Sequence, residues 1–461
     1  MIFLTDNFRI ISIESLKKIH QNNSYSNIVI NNDIKKIDEK FHNIYRKTVL
    51  GVVENIYFLD YVINKFSSTK TKKLQTEVLI ALRLAIYQIF FLENSKEFVV
   101  VNESVEYIKK KISVQASKFV NAVLRNILRN KEQTLIDIES LKASSNETDN
   151  LEYLSIKYSY PIWLIKKFIS QFGDDKIEEV LLKNNEEAKL NIRVNTTKIS
   201  KDELRKKLEQ KNIVCTDCEI AKKGMILKNM SSLEDLEEFK NGLFSVQSES
   251  SMLVGQILNP KENSLILDIC AAPGGKTMDI AERLNNTGTV ISRDLYEHKI
   301  KLIKNDIKRL SLNNIKTELA DASIFDDKLE NKFDYCIVDV PCSGFGIIRR
   351  KPEIKYNRQE DDKNGTSHDK LFDLQYKILE NASRYLKLNG ELIYSTCTTE
   401  RKENIELIKH FIEKNPNYEM IDISIETKSI FETSKNGYIE IYPHIHDLDG
   451  FFIAKIRKNM I

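Results

Sequence analysis

The stretch SLILDICAAPGGKT (264–277) decides the fold. SLILDI is a short apolar run of strand type, CAAPGGKT is built of small residues, and helical spacing begins at 277. A strand that turns through small residues into a helix lets the backbone approach a ligand closely, and the helix start offers unpaired N–H groups. The stretch is not a phosphate loop. GxxxxGK[ST] needs glycine where Cys270 stands, and no GxGxxG fingerprint occurs. Outward from it, strands and helices alternate: TVISRDL, a helix over 297–310, KTELADA, FDYCIVDV, a helix over 371–386, ELIYSTC, a helix over 402–413. That alternation predicts a doubly wound α/β domain from Gly242 onward.

Four acidic residues, Asp268, Asp294, Asp321 and Asp339, fall at the ends of successive strands. One such Asp is a helix cap or turn former; four predict a ligand pocket. Asp294 stands about 20 residues after Gly274, where ribose hydroxyls are gripped. Two further runs end in thiols. FDYCIVDVPCSGFG (333–346) sets Cys342 after a proline, and GELIYSTCT (390–398) closes on Cys397. They read as parallel strands that deliver two sulfurs to one sheet edge. A cytosine ring needs a soft nucleophile at C6 before C5 can attack an electrophilic methyl group, and a base must then remove the C5 proton. Two thiols beside a nucleotide-type pocket suit that demand.

At 461 residues the chain is too long for one core, and two to four domains are expected. With 41% hydrophobic and 30% charged residues it reads as globular. VLIALRLAIYQIFFL (78–92) carries Arg83 and is short for a membrane span, so it predicts a buried helix. MIFLTDNFRI lacks the basic and apolar regions of a signal peptide, and six cysteines make no disulfide framework; both point to a cytoplasmic home. Residues 1–140 hold 21 Lys+Arg against 15 Asp+Glu, and the remainder 49 against 52. The excess at the front is compatible with a polyanion partner or with a plain solvated helix surface. Apolar residues recur at helical spacing over 41–130, which predicts an all-α bundle. KASSNETDN (142–150) reads as a linker, and 151–173 as helix broken at Pro161. Residues 186–240 mix strand-like LNIRVNT and GMILKNM with a helix over 202–208, as a small α+β module would.

DICAAPGGKT, DVPCSGFG and YSTCT resemble the first, fourth and sixth motifs of RNA cytosine-C5 methyltransferases that use S-adenosyl-L-methionine. SNIVINNDIKK, FHNIYRKTVLGVVENIYFLD, LAIYQIFFL, VVVNESVEY and KFVNAVLRNILR are similar to the NusB-like RNA-binding domain of the RsmB (Sun) type. KYSYPIWLIKKF, LNIRVNT, GIIRRKPEIKY and DGFFIAKI also resemble that type. The resemblance implies an all-α NusB-like domain over 1–140, linker helices and a small α+β module over 141–240, and a Rossmann-like (class I) methyltransferase domain over 241–461. It implies a 16S ribosomal RNA substrate, by convention at C967, met naked or in an assembly intermediate, and a monomer with no metal and no membrane. Cys397 would add to C6, Cys342 would assist release, and Asp339 would contact the cytosine edge or the cofactor. Cys270, Ala271, Ala272, Pro273, Gly274, Gly275 and Lys276 would line the cofactor, with Asp294 on the ribose and Asp321 near the adenine. Arg349, Arg350, Lys351 and Lys355 follow the Cys342 loop, where phosphate contact is weighed against a solvated basic loop and preferred. A target base inside folded RNA would have to be flipped out.

The sequence departs from the family pattern in few places. Gln247-Ser248 replaces a Gln-Asp pair, which passes a polar contact with the cofactor to Ser248 or Glu249; Val340 replaces Ala and should point away from the ligand. Cys215-x-x-Cys218 reads as a surface coincidence rather than half a zinc site, Cys336 as core, and His444-x-His446 as loop. An RNA-binding or antitermination factor with an inert second half is the alternative from another class, and labelled-cofactor incorporation discriminates it. A DNA methyltransferase would lack the Thr-Cys motif.

Overall fold

The computed structural model describes residues 7–22, 25–93, 95–142, 146–230, 233–357 and 366–460. The first six residues of MIFLTDNFRI and positions 143–145 of the linker KASSNETDN lie outside the described residues. The chain divides into two compact units: residues up to Glu186 joined by the segment that starts at Ile348, and Glu187–Ile347 joined by the chain from Asp361 onward.

The first unit is helical. Its most apolar helix, Thr76–Phe91, buries every side chain from Val78 to Ile89. Arg83 within it gives Asp60 two hydrogen bonds of 2.7 Å, so the charge at the centre of that helix is matched in a bidentate pair. Helix Val114–Arg129 starts at Ser113, whose side chain accepts from Ala116 N. The pattern broken at Pro161 resolves into helices Glu147–Tyr158 and Ile162–Phe172, with Pro161 at the entry of the second. Among the described residues no helix is long and apolar enough to cross a membrane.

The second unit opens with strands β1 (Leu190–Val194), β2 (Val214–Asp217), β3 (Gly224–Lys228) and β4 (Phe244–Val246), an antiparallel sheet in the order β2-β3-β1-β4. Helix Lys201–Glu209 starts in a capping box of Ser200 and Glu203. The module therefore takes its fourth strand from beyond residue 240. Cys215 and Cys218 are buried rather than on the surface, Cys215 in a core cluster with Ile192 and Leu227, Cys218 in one with Met252.

The remaining strands are β5 (Leu265–Asp268), β6 (Thr289–Asp294), β7 (Ile315–Leu319), β8 (Phe333–Asp339), β9 (Leu386–Thr396), β10 (Tyr418–Met420), β11 (Tyr438–Ile441) and β12 (Phe451–Lys458). Their order is β10-β12-β9-β8-β5-β6-β7, with β11 also on β12. β5 to β9 are parallel, and β12 runs antiparallel to β9. Leu267 packs in one core and its neighbour Ile266 in another, because successive residues of a strand face opposite sides of the sheet. Both faces are covered, which is the doubly wound architecture expected. The order reverses between β6 and β8 around β5, and ligands of such sheets bind beyond the strand ends at that switch point. His446 lies in a short helix, Pro443–His446, and its Nδ1 accepts from Tyr442 N at 3.0 Å, so that segment is not loop.

Candidate active site

β5 ends at Asp268, and the chain turns through 269–274 into helix Gly275–Arg283. Gly274 has φ +109°, a left-handed conformation that favours glycine, and a Cβ there would press to 3.3 Å from Ile303 and Met278. The turn is tied to the next strand. Ala271 N donates to Arg293 O at 2.8 Å, and Ala272 N to Asp294 Oδ2 at 3.1 Å. Asp294 also accepts from Tyr296 N at 3.1 Å, and Asp321 from the N–H and hydroxyl of Ser323. Asp268 is fully buried. Thr277 Oγ1 donates to its Oδ2 at 2.6 Å, and its Oδ1 has no partner among the described residues. Burial pushes its carboxyl up to about 7, with the Asp339 and Asp294 carboxylates adding to the shift. Burial, then the same three carboxylates, also push the Cys270 thiol up, so Cys270 stays protonated at neutral pH.

Asp339 joins three elements. Its Oδ2 accepts from Lys276 Nζ at 2.6 Å and its Oδ1 from Ser395 Oγ at 2.7 Å. Since β8 and β9 pair with Asp339 opposite Ser395, the residues just past them meet. Cys342 Sγ and Cys397 Sγ stand 3.2 Å apart. Cys342 keeps its proton well above the usual thiol range, first through the hydrogen bond with Cys397 and then through burial, with Glu403 and Asp339 contributing. Either sulfur of the pair can donate to the other. Gly346 N donates to Cys397 O at 3.1 Å, and Gly450 N to Gly346 O at 2.7 Å. A Cβ on Gly346 would fall 2.0 Å from Gly450 O, so the SGFG and DGFF segments need glycine where their backbones cross. Val340 is buried in a core cluster with Cys336 and Val338.

A family model described as 16S rRNA methyltransferase RsmB/F matches residues 255–457. One described as NusB family matches 6–129, and a RsmF/B-like ferredoxin-like domain matches 160–234. A probable ribosomal RNA small subunit methyltransferase B of Bacillus subtilis strain 168 is 36% identical over 456 residues, 98% of each chain. The chain belongs to the RsmB family of 16S rRNA methyltransferases. A ribosomal RNA small subunit methyltransferase B of Vibrio cholerae serotype O1 is 28% identical over 92% of this chain and 91% of its own. Among solved structures, the protein PH0851 shares the fold with a TM-score of 0.83, at 24% identity over 99% of this chain and 100% of that one. A methyltransferase homolog protein from Pyrococcus horikoshii is 28% identical, with a TM-score of 0.56 over 66% of this chain and 97% of its own.

As a member of the RsmB family the chain is an S-adenosylmethionine-dependent 16S rRNA methyltransferase. The residues at these strand ends fit that cofactor: a glycine turn and a helix start without Cβ bulk, and the carboxylates of Asp294 and Asp339 to receive hydroxyls and a cationic amino group. Bound there, the cofactor supplies an electrophilic methyl group.

Two expectations need correction. Lys355 is not a phosphate contact in this structure, because it is 1% exposed and its Nζ donates to Glu54 O at 2.9 Å and Asn185 Oδ1 at 3.3 Å. The run of basic residues misled because one of them turns inward. Arg349 and Arg350 are half-buried, and Lys351 Nζ lies 4.7 Å from the Tyr25 ring centre. Ser248 and Glu249 serve the fold rather than the cofactor: Ser248 caps a helix through Ser251 N, and Glu249 accepts from Ile220 N and Ala221 N. Arg193, in the middle of β1, was not read as functional. Fully buried, it bonds both oxygens of Glu282 and donates to Gly275 O at 2.9 Å, with Gln247 as a further partner. A lone Arg inside the apolar run LNIRVNT was its only signal.

Proposed function

We propose that the enzyme methylates C5 of a cytosine in 16S rRNA, at C967 by convention, through a covalent adduct between Cys397 Sγ and C6. The thiol pair 3.2 Å apart carries this reading. A thiol of ordinary pKa, about 8.5, is only a few per cent thiolate at neutral pH. With Cys342 as donor, the sulfur contact would stabilise a thiolate on Cys397, the form that attacks. As Sγ–C6 forms, electron density moves to C5, which takes the methyl group. Asp339, held by Lys276 and Ser395, lies at the strand end next to the pair and would orient the cytosine edge. Cys342 as a thiol must pass on its own proton before it can take one from C5. Cys342, once its own proton has passed to solvent, takes the C5 proton, the C5–H pair forms the C5=C6 double bond, and the Sγ–C6 pair returns to the sulfur of Cys397.

Cys270 to Lys276, with Asp294, Asp321 and Asp339, would hold the cofactor. Arg349, Arg350 and Lys351 would meet phosphates. The partly exposed position of those three cations supports the phosphate role. The chain would comprise a NusB-like domain over 1–140, a middle module over 141–240 and a methyltransferase domain over 241–461. The substrate, naked or partly assembled rRNA, would be met by a monomeric, cytoplasmic enzyme without metal.

The test is a denaturing gel of enzyme with labelled rRNA, followed by bisulfite mapping of the product. Cys397→Ala should lose methyl transfer and keep RNA binding, while Cys342→Ala should accumulate a covalent enzyme–RNA band. An active Cys397→Ala enzyme, or a clean Cys342→Ala lane, overturns the assignment.

A further inference from the structure

The residues that follow Cys397 in the chain include a buried pair, Glu403 and Asn404, that the reaction as derived does not use. Their bonds sort by cysteine. Glu403 Oε2 accepts from Ser343 N at 2.9 Å, the peptide just after Cys342, and from Gln375 Nε2 at 2.9 Å. Gln375 Nε2 also donates to Pro341 O at 2.9 Å, the peptide just before Cys342. Asn404 does the same for the other thiol: its Oδ1 accepts from Thr396 Oγ1 at 2.6 Å and its Nδ2 donates to Thr398 O at 2.9 Å. The two brackets meet where Ser343 Oγ and Thr398 Oγ1 lie 2.6 Å apart. Glu403 is itself anchored, since Tyr394 OH donates to its carbonyl at 2.7 Å.

We infer that Gln375 and Glu403 are the positioning residues of Cys342, and Asn404 that of Cys397. The chemistry needs this. A thiol pair that must share one proton and then separate across a pyrimidine depends on its S–S spacing, and loops have no ladder of their own to fix it. A carboxylate and an amide, each able to bond two groups, do so from adjacent positions of one chain segment, so the two brackets cannot drift independently. The inference rests on the assignment of the two cysteines, and one of its readouts does not.

That readout is the rate at which iodoacetamide labels Cys342 and Cys397 in the free enzyme, followed by peptide mass spectrometry. Glu403→Ala should change the labelling of Cys342, lower kcat by about a hundredfold with KM for RNA nearly unchanged, and accumulate covalent enzyme–RNA. Asn404→Ala should change the labelling of Cys397 and form less covalent band. Glu403→Gln keeps an acceptor for both donors and should recover most of kcat, which a requirement for charge would not allow. Should Glu403→Ala fail to fold, Gln375→Ala leaves the Ser343 bond intact and should lower kcat by about tenfold. Wild-type labelling and kcat in folded Glu403→Ala and Asn404→Ala overturn the inference, as does a Glu403→Gln enzyme as poor as the alanine variant. Altered labelling with undisturbed methyl transfer supports the positioning role and overturns the roles given to the thiols.

Discussion

At the scale of single residues, Asp268 shows how burial sets chemistry. Its carboxyl ordinarily loses its proton near 3.8, and in the fold only at about 7. Between those values the folded protein holds a proton that the unfolded chain has released. Stability from this group is therefore full in acid and falls as pH rises through the window, by at most about 1.4 kcal/mol per pH unit. Asp268→Asn cannot titrate, and its amide oxygen can still accept from Thr277. Urea melts of both proteins between about pH 4.5 and 7.5 should show the wild type losing ground to the variant as pH rises. Parallel curves would show that Asp268 is not held protonated. Cys270, two residues further along and under the same carboxylates, likewise keeps its proton at neutral pH.

At the scale of elements, the loops behind the two thiols are also held where two backbones meet. Gly346 and Gly450 touch so closely that a methyl group on either would overlap the other's main chain. Gly346→Ala should push the Cys342 loop away from Cys397 O and cost at least about tenfold in kcat, with Gly450→Ala close behind because its Cβ also meets Thr399. Steady-state kinetics on folded variants check this, and a full-rate Gly346→Ala enzyme would refute the close approach. These glycines were legible in the sequence as parts of SGFG and DGFF, as were both thiols, the cofactor turn and the strand–helix alternation. Short edge elements were not. β10 and β11 are three and four residues long, and so little chain carries no usable period. Glu403, Asn404 and Gln375 were illegible for another reason: each sits at a position a solvated helix would fill with the same residue type, and only their bonds to the peptides around the thiols tell them apart.

At the scale of the whole molecule, the segment 348–357 is the informative one. It follows the Cys342 loop in sequence but belongs to the helical unit, where Glu353 accepts from Ser26 N and Oγ, each at 3.0 Å, and Lys355 is enclosed. Burial pushes Lys355 down from 10.5 to about 7, opposed by Glu54. Between about 7 and 10.5 the unfolded chain keeps a proton that the folded one has lost, so stability rises with pH across that window and the cost of the charge is full below it. Lys355→Met removes the titration and takes one donor from Glu54 O, which keeps Tyr356 OH, and the donor from Asn185 Oδ1, at about 1–3 kcal/mol. Denaturation at about pH 6 and pH 9 should show the wild type gaining on the variant at the higher pH. A constant difference would mean that the ammonium is solvated.

That same segment bears on how the protein is made. The helical unit runs to Glu186, but its last piece emerges from the ribosome about 160 residues later, roughly ten to thirty seconds at ordinary elongation rates. For that interval the amide of Ser26 and the carbonyl of Glu54 await partners not yet synthesised. A transcript cut short between those two points would release a helical unit with its seats for Glu353 and Lys355 unfilled.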